Sequence, residues 1–155
     1  MEAEEYVVLK AEIKAQLIEI ENIYAKIVKR KSGRGLASLE SLSYQLHNLY
    51  CAYEDLFKII AKTFENHIDD KNHYHIELLK RMTITVEGMR PAILSRESYL
   101  LLDNLRSFRH FFRHAYAYEL DRRKVKLVTE DAMRIKPLFA KDIEKFVNVL
   151  SVNNN

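Results

Sequence analysis

Only three glycines and two prolines occur in 155 residues. A many-stranded sandwich or barrel needs far more of both to turn its corners, so long helices with few connections are the remaining architecture. Hydrophobic residues at 48% and charged residues at 30% give such helices a core and a solvated face, and exclude a disordered chain. The length suits one domain spanning 1–155.

Apolar periodicity predicts five helices in an all-α, up-and-down bundle. The first runs from about Glu2 to Lys31, with an apolar stripe of Val7, Val8, Ala11, Leu17, Ile20, Tyr24 and Ile27. "SGRG" (Ser32 to Gly35) ends it, since glycine accepts the left-handed conformation of a helix terminus. The second covers about Ser38 to Asn66, with Leu42, Leu46, Leu49, Tyr53, Leu56, Ile60 and Phe64 in register. "HIDDKNHYH" is a polar connection, and a third helix follows from about His73 to Met89, stopped near Gly88 and Pro91. Ser95 caps a fourth helix that extends to about Tyr118. Asp121 caps a fifth that reaches about Leu150 and is kinked or split at Pro137.

The acidic N-terminus "MEAEEYVV" does not read as a secretory leader, and no apolar run approaches the ~20 residues of a bilayer span. A lone cysteine, Cys51, forms no internal disulfide. A cytoplasmic location is the expectation. Cys51 lies among apolar helix positions and is expected to be a small buried hydrophobe.

The net charge of +3 is unevenly distributed. Residues 106–126 hold seven Lys or Arg against two acids, a local +5, as a polyanion-binding segment would. Within it lies "FRHFFRHAYAYELD", residues 108–121. On a continuous helix turning ~100° per residue, Arg106, Arg109, His110, Arg113 and His114 fall off the face formed by Leu101, Leu105, Phe108, Phe111 and Phe112. The three phenylalanines are expected in the core. Tyr116 returns nearly beneath Arg109. A guanidinium, an imidazole and a phenol then surround one groove.

Those groups suit RNA cleavage without a metal. A histidine can take the 2′-hydroxyl proton or protonate the leaving oxygen, and an arginine can stabilise the charged phosphoryl group. Spacing alone favours the plainer reading, a solvated cationic face. One helix supplies one such His, so a complete acid–base pair calls for two chains across a cleft.

At these residues the sequence resembles the HEPN superfamily, and within it the HepT-like toxins. The signature Arg-x4-His-x-Tyr is matched by Arg109, His114 and Tyr116, and the block Leu105–Asp121 also resembles this subgroup. The position after the arginine, often Asn in relatives, is His110 here. The resemblance implies a metal-independent ribonuclease toxin in which Arg109 and His114 are catalytic, with Arg106, His110, Arg113 and Tyr116 in supporting or RNA-binding roles. It implies a homodimer with a composite site. It also implies a nucleotidyltransferase antitoxin of the minimal type, which uses ATP to AMPylate Tyr116, so that this chain itself needs no cofactor. The alternatives are a non-catalytic helical module that binds nucleic acid or a nucleotide, and a structural partner of a nucleotidyltransferase.

Other features carry less. His73 and His75 lack a further ligand pair at zinc-like spacing, and Asp69 and Asp70 read as loop residues, so no metal site is expected. Arg122, Arg123, Lys124 and Lys126 are either a solvated helix face or an extension of the RNA track. "KRKSGR" (Lys29 to Arg34) complements a helix C-terminus, and Gly33 and Gly35 follow no strand, so they form no P-loop. His47 and His67 have no evident partners.

Overall fold

The computed structural model describes residues 1–64, 74–117 and 119–154. Among them are five α-helices: α1 (Ala3–Arg30), α2 (Leu36–Phe64), α3 (Tyr74–Arg81), α4 (Arg96–Arg113) and α5 (Arg122–Asn153). A 3-10 turn, Ala115–Ala117, joins α4 toward α5. The only β pairing among the described residues is one bridge between Val86 and Arg90. The expected helical bundle is therefore the fold. Helix α2 is its centre, packed by α1, α3, α4 and α5.

That role follows from composition: α2 buries Leu46, Leu49, Tyr50, Tyr53, Leu56, Phe57 and Ile60 almost completely. Tyr53 and Phe57 meet Phe139 of α5 edge to face, at 5.0 and 6.2 Å between ring centroids. One polar junction crosses this core. The Tyr24 hydroxyl lies 2.7 Å from that of Tyr53 and donates to the Ala132 carbonyl at 2.9 Å. Tyr24 has one proton, and the carbonyl takes it, so Tyr53 donates to Tyr24. Helices α1, α2 and α5 are thus joined at one point. Burial raises both phenols far above their ordinary range.

Several boundaries differ from the periodicity. The first half of α1 turns another face inward: Leu9 and Ile13 are buried, whereas Val7 and Val8 are exposed. Both stripes are helical repeats, and α2 selects the one with the longer side chains. Helix α3 stops at Arg81, not Met89. The β-branched run Thr83–Val86 favours extended backbone, and Gly88 at φ 78° turns the chain so that Val86 and Arg90 exchange backbone hydrogen bonds. The buried Arg90 guanidinium donates to the carbonyls of Arg81, Ile84 and Pro91, closing the end of α3. Helix α5 runs on to Asn153 without being split at Pro137. Ser95 and Asp121 cap as expected, accepting from the backbone N–H of Ser98 and of Arg123. The expected polar connection and the residues His67, Asp69, Asp70 and His73 within it lie outside the described residues. His75 instead contacts Glu54 on α2 at 2.7 Å.

Candidate functional site

Helix α4 packs on α2 through Leu101, Leu102, Leu105 and Phe108. Phe108 stacks with Phe112 at 6.1 Å, and Phe112 reaches the His47 ring of α2 at 5.5 Å. His47 in turn stacks on Tyr44 at 6.3 Å. This aromatic seam directs the next polar residue of α4 inward. Arg109 is only 9% exposed, not on an open cationic face, and its Nε donates to Cys51 Sγ at 3.2 Å. Cys51 is accordingly half-buried and polar in function, correcting the expectation of an inert apolar thiol.

A defined proton order follows. His47 Nδ1 lies 3.2 Å from Asn48 Oδ1, an atom that can only accept, so Nδ1 carries the proton. In the neutral ring Nε2 then offers its lone pair, and it faces Cys51 Sγ at 3.9 Å. The thiol accepts from Arg109, and with Nδ1 protonated its S–H can be donated toward Nε2. His47 titrates below its ordinary value, first because it is buried and further because Arg109 and Arg113 lie close, against an opposing pull from Asn48. Tyr50, fully buried among Glu54, Asp103, Arg106 and Arg109, is pushed upward by burial, and its hydroxyl has no hydrogen-bond partner among the described residues.

The remaining residues of the series are dispersed. Arg106 donates Nε to Asp103 at 2.8 Å, which offsets its charge. His110 and His114 are exposed, with rings 4.7 Å apart and tilted by 56°. The fourth helix does not continue to Tyr118: it ends at Arg113, and His114 is its C-cap, its N–H shared between the Phe111 and Phe112 carbonyls. Reversing the chain from α4 into α5 takes up residues 114–121, more than the sequence periodicity allotted. Tyr116 therefore does not sit below Arg109 on a helix. It projects from the 3-10 turn, 96% exposed, and shares with Arg113 and Phe112 a cavity of about 560 Å³. No hydrogen bond or ion pair joins Arg109 to His114 or Tyr116 among the described residues. Of the three phenylalanines, Phe108 is core, Phe112 packs at its edge, and Phe111 is half-buried under the Lys124 ammonium at 4.2 Å. Tyr118 lies outside the described residues.

Sequence reasoning missed His47 and Cys51. They stand four apart on α2, one turn beyond Tyr44, and form a secondary stripe beside the main leucine stripe. That spacing was the available signal. No cluster of three potential metal ligands occurs among the described residues, and no helix there is long and apolar enough to cross a membrane.

An all-α bundle with Arg109 near the end of its fourth helix, His114 as its C-cap and Tyr116 in the following turn fits the HEPN resemblance of the sequence. The model of the HepT-like protein family matches residues 41–150, well over half of the chain, and the chain belongs to that family. Comparison with curated proteins and with solved structures finds no match.

Proposed function

We propose that this HepT-like chain is a ribonuclease toxin that cleaves RNA by attack of a 2′-hydroxyl on the adjacent phosphorus, independently of a metal. One observation carries the reading. Arg109 is anchored through Nε by Cys51, while no protein group among the described residues takes its two terminal amino groups. A guanidinium so held is pre-oriented to grip two oxygens of a phosphodiester, and it sits at the base of a segment rich in exposed His and Arg. His114 moves the proton. The 2′-oxygen bonds to phosphorus as it loses its hydrogen, the 5′-oxygen leaves with one, and the product ends in a 2′,3′-cyclic phosphate. His110, Arg106, Arg113 and Tyr116 bind the strand. His47 places a second imidazole beside Arg109 within the same protomer, and a twin subunit facing the site supplies a second Arg109–His114 set.

In this reading the partner is a minimal nucleotidyltransferase antitoxin. The Tyr116 phenol attacks the α-phosphorus of ATP bound to that partner, pyrophosphate departs, and the added AMP brings negative charge into the arginine-rich end. The exposure of Tyr116 supports this role.

Incubation of the purified protein with total RNA, with and without EDTA, tests the proposal. Cleavage is expected in both, with cyclic phosphate ends, and His114→Ala is expected to abolish it while leaving the circular dichroism spectrum unchanged. Undiminished cleavage by His114→Ala would falsify the assignment. The low exposure of Arg109 favours one rival, a non-catalytic nucleic-acid-binding bundle. That rival predicts salt-sensitive RNA binding with no product.

A further inference from the structure

A second cavity, of about 390 Å³, opens at the end of the bundle where α1 ends and α2 and α5 begin. It joins two basic segments that are far apart in sequence. Arg30 and Lys31 enter from the C-terminal end of α1, and Arg122 and Lys126 from the first turns of α5. Among the described residues, Glu130 is the one carboxylate in the lining. Leu39, Leu42 and Val125, all buried, form an apolar floor. Arg30 is oriented by donating Nε to Ser41 Oγ at 2.9 Å and Nη1 to the Lys26 carbonyl at 3.2 Å. The wall is tight: a Cβ on Gly33 would come within 2.7 Å of Ser38 Oγ.

The placement of these charges on the helices points the same way. The N-terminus of a helix is its positive end and favours acidic residues. Helix α5 opens instead with Arg122, Arg123 and Lys124 and has no acid in its first turn, only the Asp121 cap before it. Helix α2 also begins without an acid in its first turn, two residues after Arg34. Against these stand Glu130 and the carbonyl end of α1, which Arg30 and Lys31 complement, so the uncompensated charge is that of Arg122 and Lys126 beside the start of α5, which an anion relieves. The cavity volume is in the range of a small-ligand site, and the floor offers an apolar surface to a ribose or base.

We propose that this cavity is a phosphodiester subsite for single-stranded RNA, separate from the point of cleavage. It rests on the ribonuclease reading and extends it. The α4–α5 connection leads from His114 to Arg122, so a strand cut beside α4 continues along the connection and places a later phosphate between Arg122, Lys126 and Arg30, with its nucleoside on the floor. The substrate is then a flexible single strand, because a rigid duplex cannot seat a base in the cavity.

The test measures binding of a fluorescein-labelled 2′-O-methyl oligouridylate, which lacks the attacking hydroxyl, by anisotropy over a range of salt. Arg122→Gln with Lys126→Gln is expected to weaken binding about tenfold and to lower the slope of log Kd against log salt by about 0.7, the value for the one phosphate no longer neutralised. Lys141→Gln with Lys145→Gln, exposed in the distal half of α5, removes the same charge and is expected to leave both nearly unchanged. Equal behaviour of the two double variants overturns the subsite. Cleavage of unmodified RNA by the pocket variant should show a raised KM with kcat retained. A wild-type protein that binds the oligonucleotide through this pocket yet cuts no RNA refutes the ribonuclease reading and leaves the subsite standing.

Discussion

The contact between Arg109 and Cys51 makes a quantitative claim on stability. A hydrogen bond to a charged donor contributes about 1.5–3 kcal/mol, and sulfur is a weak acceptor, so the low end applies, about 1.5 kcal/mol. Cys51→Ala removes the acceptor from a guanidinium that is 9% exposed. In a domain of this size each kcal/mol moves the midpoint by about 2–4 °C, so a fall of about 3–6 °C is expected. Weaker packing alone could produce a similar shift. A double-mutant cycle separates the two. Arg109→Met keeps most of the side-chain volume and removes the donor, and in that background Cys51→Ala should cost about 1.5 kcal/mol less than in the wild type. Urea unfolding of the four proteins gives the coupling. A coupling energy of zero refutes the claim that the thiol holds the arginine. Cys51→Ser, which keeps an acceptor, should fall between Cys51→Ala and the wild type.

Two further predictions concern His47, beside this contact, and Arg90, at the end of α3. His47 titrates below its ordinary value, so the folded state prefers its neutral form. The stability this gives is complete above the unfolded pKa of ~6.5 and is lost as pH falls through that value toward the folded one. Between about pH 7.5 and pH 5 the wild type should therefore lose more stability than His47→Gln, as read by urea midpoints; parallel losses would exclude His47 as a contributor. Arg90→Met leaves the carbonyls of Arg81, Ile84 and Pro91 without that donor in a buried place and is expected to cost about 3 kcal/mol in chemical denaturation. A change near zero would mean that water replaces the guanidinium without penalty.

Much of this molecule is readable from residue order, and the unreadable part has a common cause. The two caps, Ser95 and Asp121, are local: a short polar side chain bonds to its own backbone two or three residues on. The leucine and tyrosine stripe of α2 is also local, because a central helix is buried whichever neighbours surround it. Arg109 is different. A helical wheel of α4 places it away from that helix's own apolar face, but α2 flanks α4 and covers part of the polar side as well. Whether a position is wet depends on the second helix, and a wheel contains only one. His47 and Cys51 stay hidden for the same reason, since their significance lies in Arg109, which is far away in sequence. The early end of α4 has no Gly or Pro to announce it. It follows from the space required to reverse direction before the capped start of α5. In α1, two overlapping helical stripes compete, and only the partner surface decides between Val7 with Val8 and Leu9 with Ile13.

The junction of Tyr24, Tyr53 and the Ala132 carbonyl has a mechanical consequence. Greasy helices slide past one another at modest penalty, because one aliphatic neighbour replaces another. A single-residue slip of α1 along its axis, about 1.5 Å, would separate the two phenols from their acceptors and strand both in hydrocarbon. The junction therefore acts as a detent: it sets the axial alignment of three helices at once, and the spacing between elements at the far end of the bundle inherits that setting.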